Sequence, residues 1–181
     1  MADHAETDCP GRSFTTDWAG PFRENAERLF DGLAPLPLSY LEIGVYEGRS
    51  ACWMLDNVLT HPLSLYVGVD VRVQDRGWVN LAPYGDKAVV YEGDSKVVVP
   101  RLNLCFDIVY IDGNHMAKDT LFDSVAAWQV LVKGGVLLWD DYVSRDKSNG
   151  VAKAVKAFLS CLRKREYEVL LENEQFSVRK R

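Results

Sequence analysis

Hydrophobic and polar residues follow two rhythms along this chain. Compact apolar runs at 39–45, 64–70, 88–92, 106–112 and 136–139 have the length of strands buried on both faces. Between them, apolar residues recur at steps of three and four. Phe22, Ala26, Leu29, Phe30 and Leu33 mark a helix that ends at Pro35 and Pro37, because a residue ahead of proline avoids the helical region. Helices are also expected at about 48–60, closing near His61 and Pro62, and at 96–103. Leu121, Val125, Trp128 and Val132 place an apolar stripe on another helix, which stops at Gly134 and Gly135. Val151, Val155, Phe158, Leu159 and Leu162 mark the last one. Segment 72–87, holding Trp78, Pro83, Tyr84 and Gly85, is too polar and broken to assign. Two short strands near 167–172 and 175–179, joined by a tight turn, read as a closing hairpin. Residues 1–19 read as a flexible lead-in to one domain over 20–181. Five alternations of strand and helix specify an α/β chain with a parallel sheet covered on both faces. Ligands of such sheets bind at the carboxyl ends of the strands.

Those strand ends carry the chemistry. Tyr40-Leu-Glu-Ile-Gly-Val-Tyr-Glu-Gly-Arg-Ser50 runs from an apolar strand into an acid, then into Gly44 and Gly48. A glycine turn lets a ligand approach bare backbone. Asp70, 22 residues beyond Gly48, ends the next strand where a carboxylate can grip a ribose diol. The turn is not GxGxxG, and Glu42 and Glu47 flank it, so a pyrophosphate would be repelled. A nicotinamide dinucleotide is thus poorly served. S-adenosylmethionine (SAM) fits better, with an adenosine for Asp70, a cationic sulfur, and an amino-acid end for the turn.

Composition narrows the class. At 181 residues the chain is long enough for one domain with a real core. No apolar run reaches the ~18 residues of a membrane span, and the acidic start lacks the order of a signal peptide, so a cytoplasmic protein without membrane contact is expected. Four cysteines without CxxC spacing argue against a zinc site or a disulfide framework. Cys52, Cys105 and Cys161 fall in apolar segments, where buried thiols are common. The net charge of -5 is uneven: residues 145–181 hold ten Lys/Arg against five Asp/Glu, and the rest is strongly acidic. An acidic body disfavours a general nucleic-acid partner.

Taken together, Glu42-Ile-Gly44 with Gly48, Asp70, Gly93-Asp94-Ser95, Ile111-Asp-Gly-Asn-His115 and Gly134-Gly-Val-Leu-Leu-Trp-Asp-Asp141 resemble a class I SAM-dependent methyltransferase of the small O-methyltransferase-like kind. The likeness spans about 20–180, with the motifs in the family's order. It implies a Rossmann-like fold: a seven-stranded, mostly parallel sheet with an antiparallel last strand. It further implies that Glu42, Gly44 and Gly48 line the methionine end of SAM, with Ser50 on its carboxylate. Asp70 would take the ribose hydroxyls, and Gly93, Asp94 and Ser95 would border the adenine, Asp94 reading its amino group. Asp112 would border the cofactor too. Each residue also has a plain structural use: the glycines in a tight turn, Asp94 as a helix cap, Ser50 in a first helical turn.

Methyl transfer to a hydroxyl needs alignment and removal of a proton. Asp112, Asp140 and Asp141 end two neighbouring strands, and three converging carboxylates repel one another unless a cation or protons intervene. Such an oxygen cluster suits Mg²⁺ or another hard divalent ion. The Asp-Asp pair is closer to relatives that methylate sugar hydroxyls on natural products than to catechol-type enzymes. His115, three residues after Asp112, is a candidate general base. Lys118 is a weaker one, and His4 and His61 have no suitable neighbours. Trp78, Tyr84, Tyr142 and Tyr46 are candidates for the mouth, and 72–87 and 142–149 for acceptor walls. The expectation is therefore a SAM-dependent O-methyltransferase for a small hydroxylated acceptor, aided by a divalent metal, with homodimers known among related enzymes. Rival readings are a metal-free methyltransferase with His115 as base, and a SAM-binding protein without catalysis.

Overall fold

The computed structural model describes residues 11–146 and 148–181. The chain runs α1 (Gly20–Phe30), β1 (Ser39–Ile43), α2 (Arg49–Asn57), β2 (Leu65–Asp70), α3 (Asp75–Leu81), β3 (Ala88–Glu92), α4 (Ser95–Val98), β4 (Phe106–Ile111), α5 (Ala117–Val130), β5 (Leu131–Trp139), α6 (Val151–Ser160), β6 (Tyr167–Glu172) and β7 (Phe176–Lys180). The seven strands form one sheet in the order β3-β2-β1-β4-β5-β7-β6. The first five are mutually parallel, and β7 runs antiparallel to both β5 and β6. The expected Rossmann-like architecture is the observed one.

Side chains alternate across each strand, so the sheet sorts its residues into two cores. Tyr40, Tyr66, Ile108, Tyr110 and Leu138 face α1 and α2, packing on Phe22, Ala26, Cys52 and Met54. Leu41, Val67, Val109, Leu137 and Trp139 face α5 and α6, packing on Ala127, Val155 and Phe158. This two-sided burial is why the central strands read as continuous apolar runs.

Three expectations need correction. Segment 72–87 is ordered: α3 is followed by a 3-10 turn at Ala82–Lys87, and only Gly77, Asn80 and Leu81 of α3 are buried. The helix before β5 ends at Val130 rather than at the glycines, and Leu131 already pairs with Phe106 ahead of an irregularity in the ladder. Its buried face is Thr120, Asp123, Ser124, Ala126 and Ala127, while Val125 of the expected stripe is exposed. Finally, Cys52 is buried but Cys105 and Cys161 are exposed. His4 and Cys9 lie outside the described residues.

Residues 12–19, expected within the lead-in, lie against the body. Thr15 donates to the buried Glu47 carboxylate from both its backbone N–H (2.7 Å) and its hydroxyl (2.8 Å). Asn80 exchanges hydrogen bonds with the Ser13 backbone, and the Arg49 guanidinium donates to the Thr16 carbonyl. Phe14 is buried beneath the Arg49 guanidinium, 5.0 Å from it. The segment brings Trp18 to the sheet's carboxyl edge. Among the described residues no helix is long and apolar enough to cross a membrane.

Candidate active site

The turn after β1 is held from three sides. Gly44 has φ +97°, and a Cβ there would stand 2.0 Å from the Asp112 carbonyl oxygen. The glycine is therefore demanded by the close approach of β1 and β4, whatever ligand lies above. Asp70 braces the same turn: Oδ2 accepts from the backbone N–H groups of Val45 (2.7 Å) and Tyr46 (3.0 Å), and Oδ1 accepts from Arg72 N–H (2.9 Å). A carboxylate offers about four acceptor positions, so among the described residues one stays unused, and Asp70 lines the cleft. Gly48, also left-handed at φ +75°, starts α2.

Beneath the turn lies Glu42, fully buried. It accepts from Ser50 Oγ at short range and from the Tyr66 hydroxyl at 2.6 Å. Gly68 sits opposite it in β2, and the missing side chain leaves room for the Tyr66 ring: a Cβ would come within 2.7 Å of the hydroxyl. Burial pushes Glu42 up to about 8, partly offset by its two donors. Ser50 reaches the cleft wall, while Glu42 and Gly48 lie under it.

The cleft above measures about 1400 Å³. Sites for one drug-sized ligand run to roughly 300–1,000 Å³, so two reactants fit side by side. Asp70, Gly93, Asp94, Ser95 and Asp123 line one end, and Gly44, Val45 and Tyr46 the middle. Asp112, His115, Asp140, Asp141, Ser144 and Arg145 line the other end, with Trp18 and Tyr46 at the mouth, their rings stacked at 5.5 Å. Of the four aromatics expected at the mouth only Tyr46 is there. Tyr84 hydrogen bonds to Asp56, Tyr142 packs on Phe176, and α3 carries Trp78 away. Among the expected walls 142–149 contributes and 72–87 does not; Thr16–Ala19 takes that place.

At the second end, Asp112, His115 and Asp141 each offer one donor atom within 4.8 Å of the others. His115 Nε2 is 3.2 Å from Asp141 and 3.8 Å from Asp112. Asp140, expected in the same cluster, accepts from Gln175 Nε2 at 2.7 Å instead. Burial first, then the Asp140 charge, pushes Asp112 up to about 7, against the pull of His115. Desolvation likewise raises Asp141, and the bond to Asp112 raises His115. Asp141 has φ +51°, a left-handed conformation uncommon for a residue with a side chain and often found at functional sites. Lys118 does not line the cleft.

On the base side, Asp94 caps α4 by accepting from Lys96 N–H at 2.9 Å, and Ser95 Oγ donates to Asp123 at 2.6 Å. Sequence reasoning missed Asp123, which sits among apolar helix positions. It also missed Gln175, a buried turn residue whose Oε1 accepts from Asn25 at 2.9 Å. Asn25 in turn exchanges hydrogen bonds with Asn173. Partners some 150 positions apart leave no local signal.

With this geometry in place, comparison with known proteins decides the family. A family model described as "Methyltransferase domain" matches residues 41–142, more than half of the chain. The chain belongs to the class I SAM-dependent methyltransferase family. An uncharacterized protein of Acanthamoeba polyphaga mimivirus is 26% identical over 72% of this chain, and the chain spans only 63% of that relative's length. Solved methyltransferases share the fold at lower identity. S-adenosylhomocysteine-bound PaMTH1 of Podospora anserina has a TM-score of 0.67 at 18% identity, covering 93% of this chain and 80% of its own. The TDP-rhamnose 3'-O-methyltransferase CalS11 of calicheamicin biosynthesis has a TM-score of 0.66 at 20%, covering 88% and 78%. MycE, solved with Mg, S-adenosylhomocysteine (SAH) and mycinamycin VI, has a TM-score of 0.66 at 16%, covering 94% of this chain and 51% of its own.

Proposed function

We propose that this chain transfers a methyl group from SAM to a hydroxyl of a small, sugar-like or natural-product-like acceptor, with help from a divalent cation. The observation that carries the reading is a single cleft in which a braced glycine turn lies between Asp70 on one side and the converging Asp112, His115 and Asp141 on the other. The relatives CalS11, a sugar O-methyltransferase, and MycE, solved with Mg, favour the same acceptor class and ion.

The residues fit both groups. For SAM there is an acidic cleft roomy enough for cofactor and acceptor, and Asp70 keeps one acceptor position for a ribose hydroxyl. SAM supplies a methyl carbon on a sulfonium; as the acceptor oxygen bonds to that carbon, the S–C bond breaks and its electron pair stays on the sulfur of SAH. Gly44 and Gly48 shape the methionine end, Ser50 borders it, and Gly93, Asp94 and Ser95 border the base. For a cation, the donor set is oxygen-rich and crowded with like charge: Asp112 and Asp141 would hold it. Bound there, a divalent ion would lower the pKa of an acceptor hydroxyl. His115 takes the proton as the oxygen attacks, and Asp112 and Asp141, which its Nε2 faces, stabilise the imidazolium.

The pairing of His115 with two carboxylates also favours a second reading, in which the imidazole acts as base without an ion. Incubation with SAM and a panel of sugar and polyketide alcohols, with SAH release read with Mg²⁺ and after full chelation, tests both. SAH release abolished by chelation supports the metal reading, and release that survives selects the second. Absence of SAH with every acceptor, with Mg²⁺ present, contradicts both and leaves a binding protein.

A further inference from the structure

We infer that Asp123 is the acceptor for the adenine amino group, and that it makes the cofactor site selective for a 6-amino purine over a 6-oxo one. The inference rests on the SAM reading above and assigns a residue on α5 that the strand-end motifs do not contain.

Asp123 is a carboxylate only 3% exposed, yet it lines the cleft. Its Oδ1 accepts from Ser95 Oγ at 2.6 Å, and among the described residues that is its only hydrogen bond. Its Oδ2 lies 3.9 Å from the point where a Cβ on Gly113 would stand, so the carboxylate sits between the tips of β3 and β4. Lys96, the cation beside it, is engaged by Asp119 at 2.6 Å. A buried carboxylate with one hydroxyl donor is expensive unless further donors arrive. Desolvation raises its pKa accordingly, against the pull of Ser95 and Lys96.

The cleft supplies a direction for that donor. A ribose held at Asp70 lies beside the β3 tip, because Gly93 N–H donates to the Asp70 carbonyl at 2.7 Å. From there a base extends over Gly93 and Ser95 toward Asp123. An adenine edge presents an amino N–H to Oδ2, whereas a 6-oxo purine presents a carbonyl oxygen that a carboxylate repels. Asp94 suits this role less well, because its carboxylate is exposed and one of its oxygens caps α4.

The test compares SAH with S-inosylhomocysteine by calorimetry on the wild-type chain, Asp123→Asn and Ser95→Ala. The wild type should bind SAH at least about tenfold more tightly than the inosyl analogue, the scale of a hydrogen bond to a charged group. Asp123→Asn keeps an acceptor for Ser95 and offers an N–H to a 6-oxo group, so the preference should collapse or invert. Ser95→Ala, which frees the carboxylate, should narrow it. A purely architectural Asp123 would weaken both ligands by the same factor and leave their ratio unchanged; that result overturns the inference. Should Asp123→Asn fail to fold, an unchanged ratio in Ser95→Ala overturns it equally. No SAH binding to the wild type would instead defeat the cofactor reading itself.

Discussion

Two regions of the cleft treat their carboxylates differently. Around the glycine turn, Glu42, Glu47 and Asp70 are served by the protein's own donors. Glu42 has Ser50 and Tyr66, Glu47 has two groups of Thr15, and Asp70 has three backbone N–H groups. In the acidic cluster beside it, among the described residues, Asp112 has the Tyr110 hydroxyl at a long 3.3 Å and His115 at 3.8 Å, Asp140 has Gln175 at 2.7 Å with the Tyr110 hydroxyl nearby, and Asp141 has His115 at 3.2 Å. A buried carboxylate with its donors in place is architecture; one short of donors is poised for a ligand. The first region therefore shapes a binding surface, and the second concentrates the unbalanced charge that the proposed reaction would use.

Mutations should separate these roles, and the largest effect belongs to the architecture. Gly44→Ala adds left-handed strain to a clash with the Asp112 carbonyl, and we expect a loss of about 2–6 kcal/mol in urea unfolding. Wild-type stability would show that the strand tips can part. Asp141→Asn comes next. Turnover should fall by ~100-fold or more while SAH affinity in calorimetry stays nearly unchanged, because that end handles the acceptor and its proton. A parallel loss of cofactor affinity would merge the two ends into one. Asp70→Ala should weaken SAH binding by about 1–3 kcal/mol through lost charged hydrogen bonds and a loosened turn. Unaltered affinity would remove Asp70 from the site.

A different kind of effect is a pH dependence from Glu42. Its folded pKa of about 8 lies above its ordinary 4.5, so the folded state holds a proton that the unfolded state has released between those values. Stability from this group is complete below about pH 4.5 and is lost as pH rises toward 8, by up to ~1.4 kcal/mol per pH unit. Glu42→Gln should flatten that part of the curve. An identical slope in wild type and variant, read from urea midpoints at pH 5 to 8, would show that Glu42 does not carry the buried proton.

The sheet was legible because β1, β2, β4 and most of β5 are buried on both faces and read as plain apolar runs. The acids and glycines at their tips were legible for the same reason, since each ends such a run. The strand β5 was misread at its start because Leu121, Val125, Trp128 and Val132 keep a helical period past the point where Leu131 joins the sheet. In α5 hydropathy found only part of the inner face. Leu121 and Trp128 pack on the core beside Ala126 and Ala127, but Val125 is exposed and the buried stripe also holds polar groups: Ser124 donates to the Thr120 carbonyl and accepts from the Trp139 indole, and Asp123 accepts from Ser95. Helix α3 escaped notice because it buries so few side chains. The grouping of His115 with Asp112 and Asp141, and the diversion of Asp140 to Gln175, depend on loop geometry and on a turn far along the chain.

Calorimetric titration of SAH into the wild-type chain tests the central claim most directly. We predict saturable heat with one site per chain. A well-folded protein that gives no heat with SAH would contradict the account.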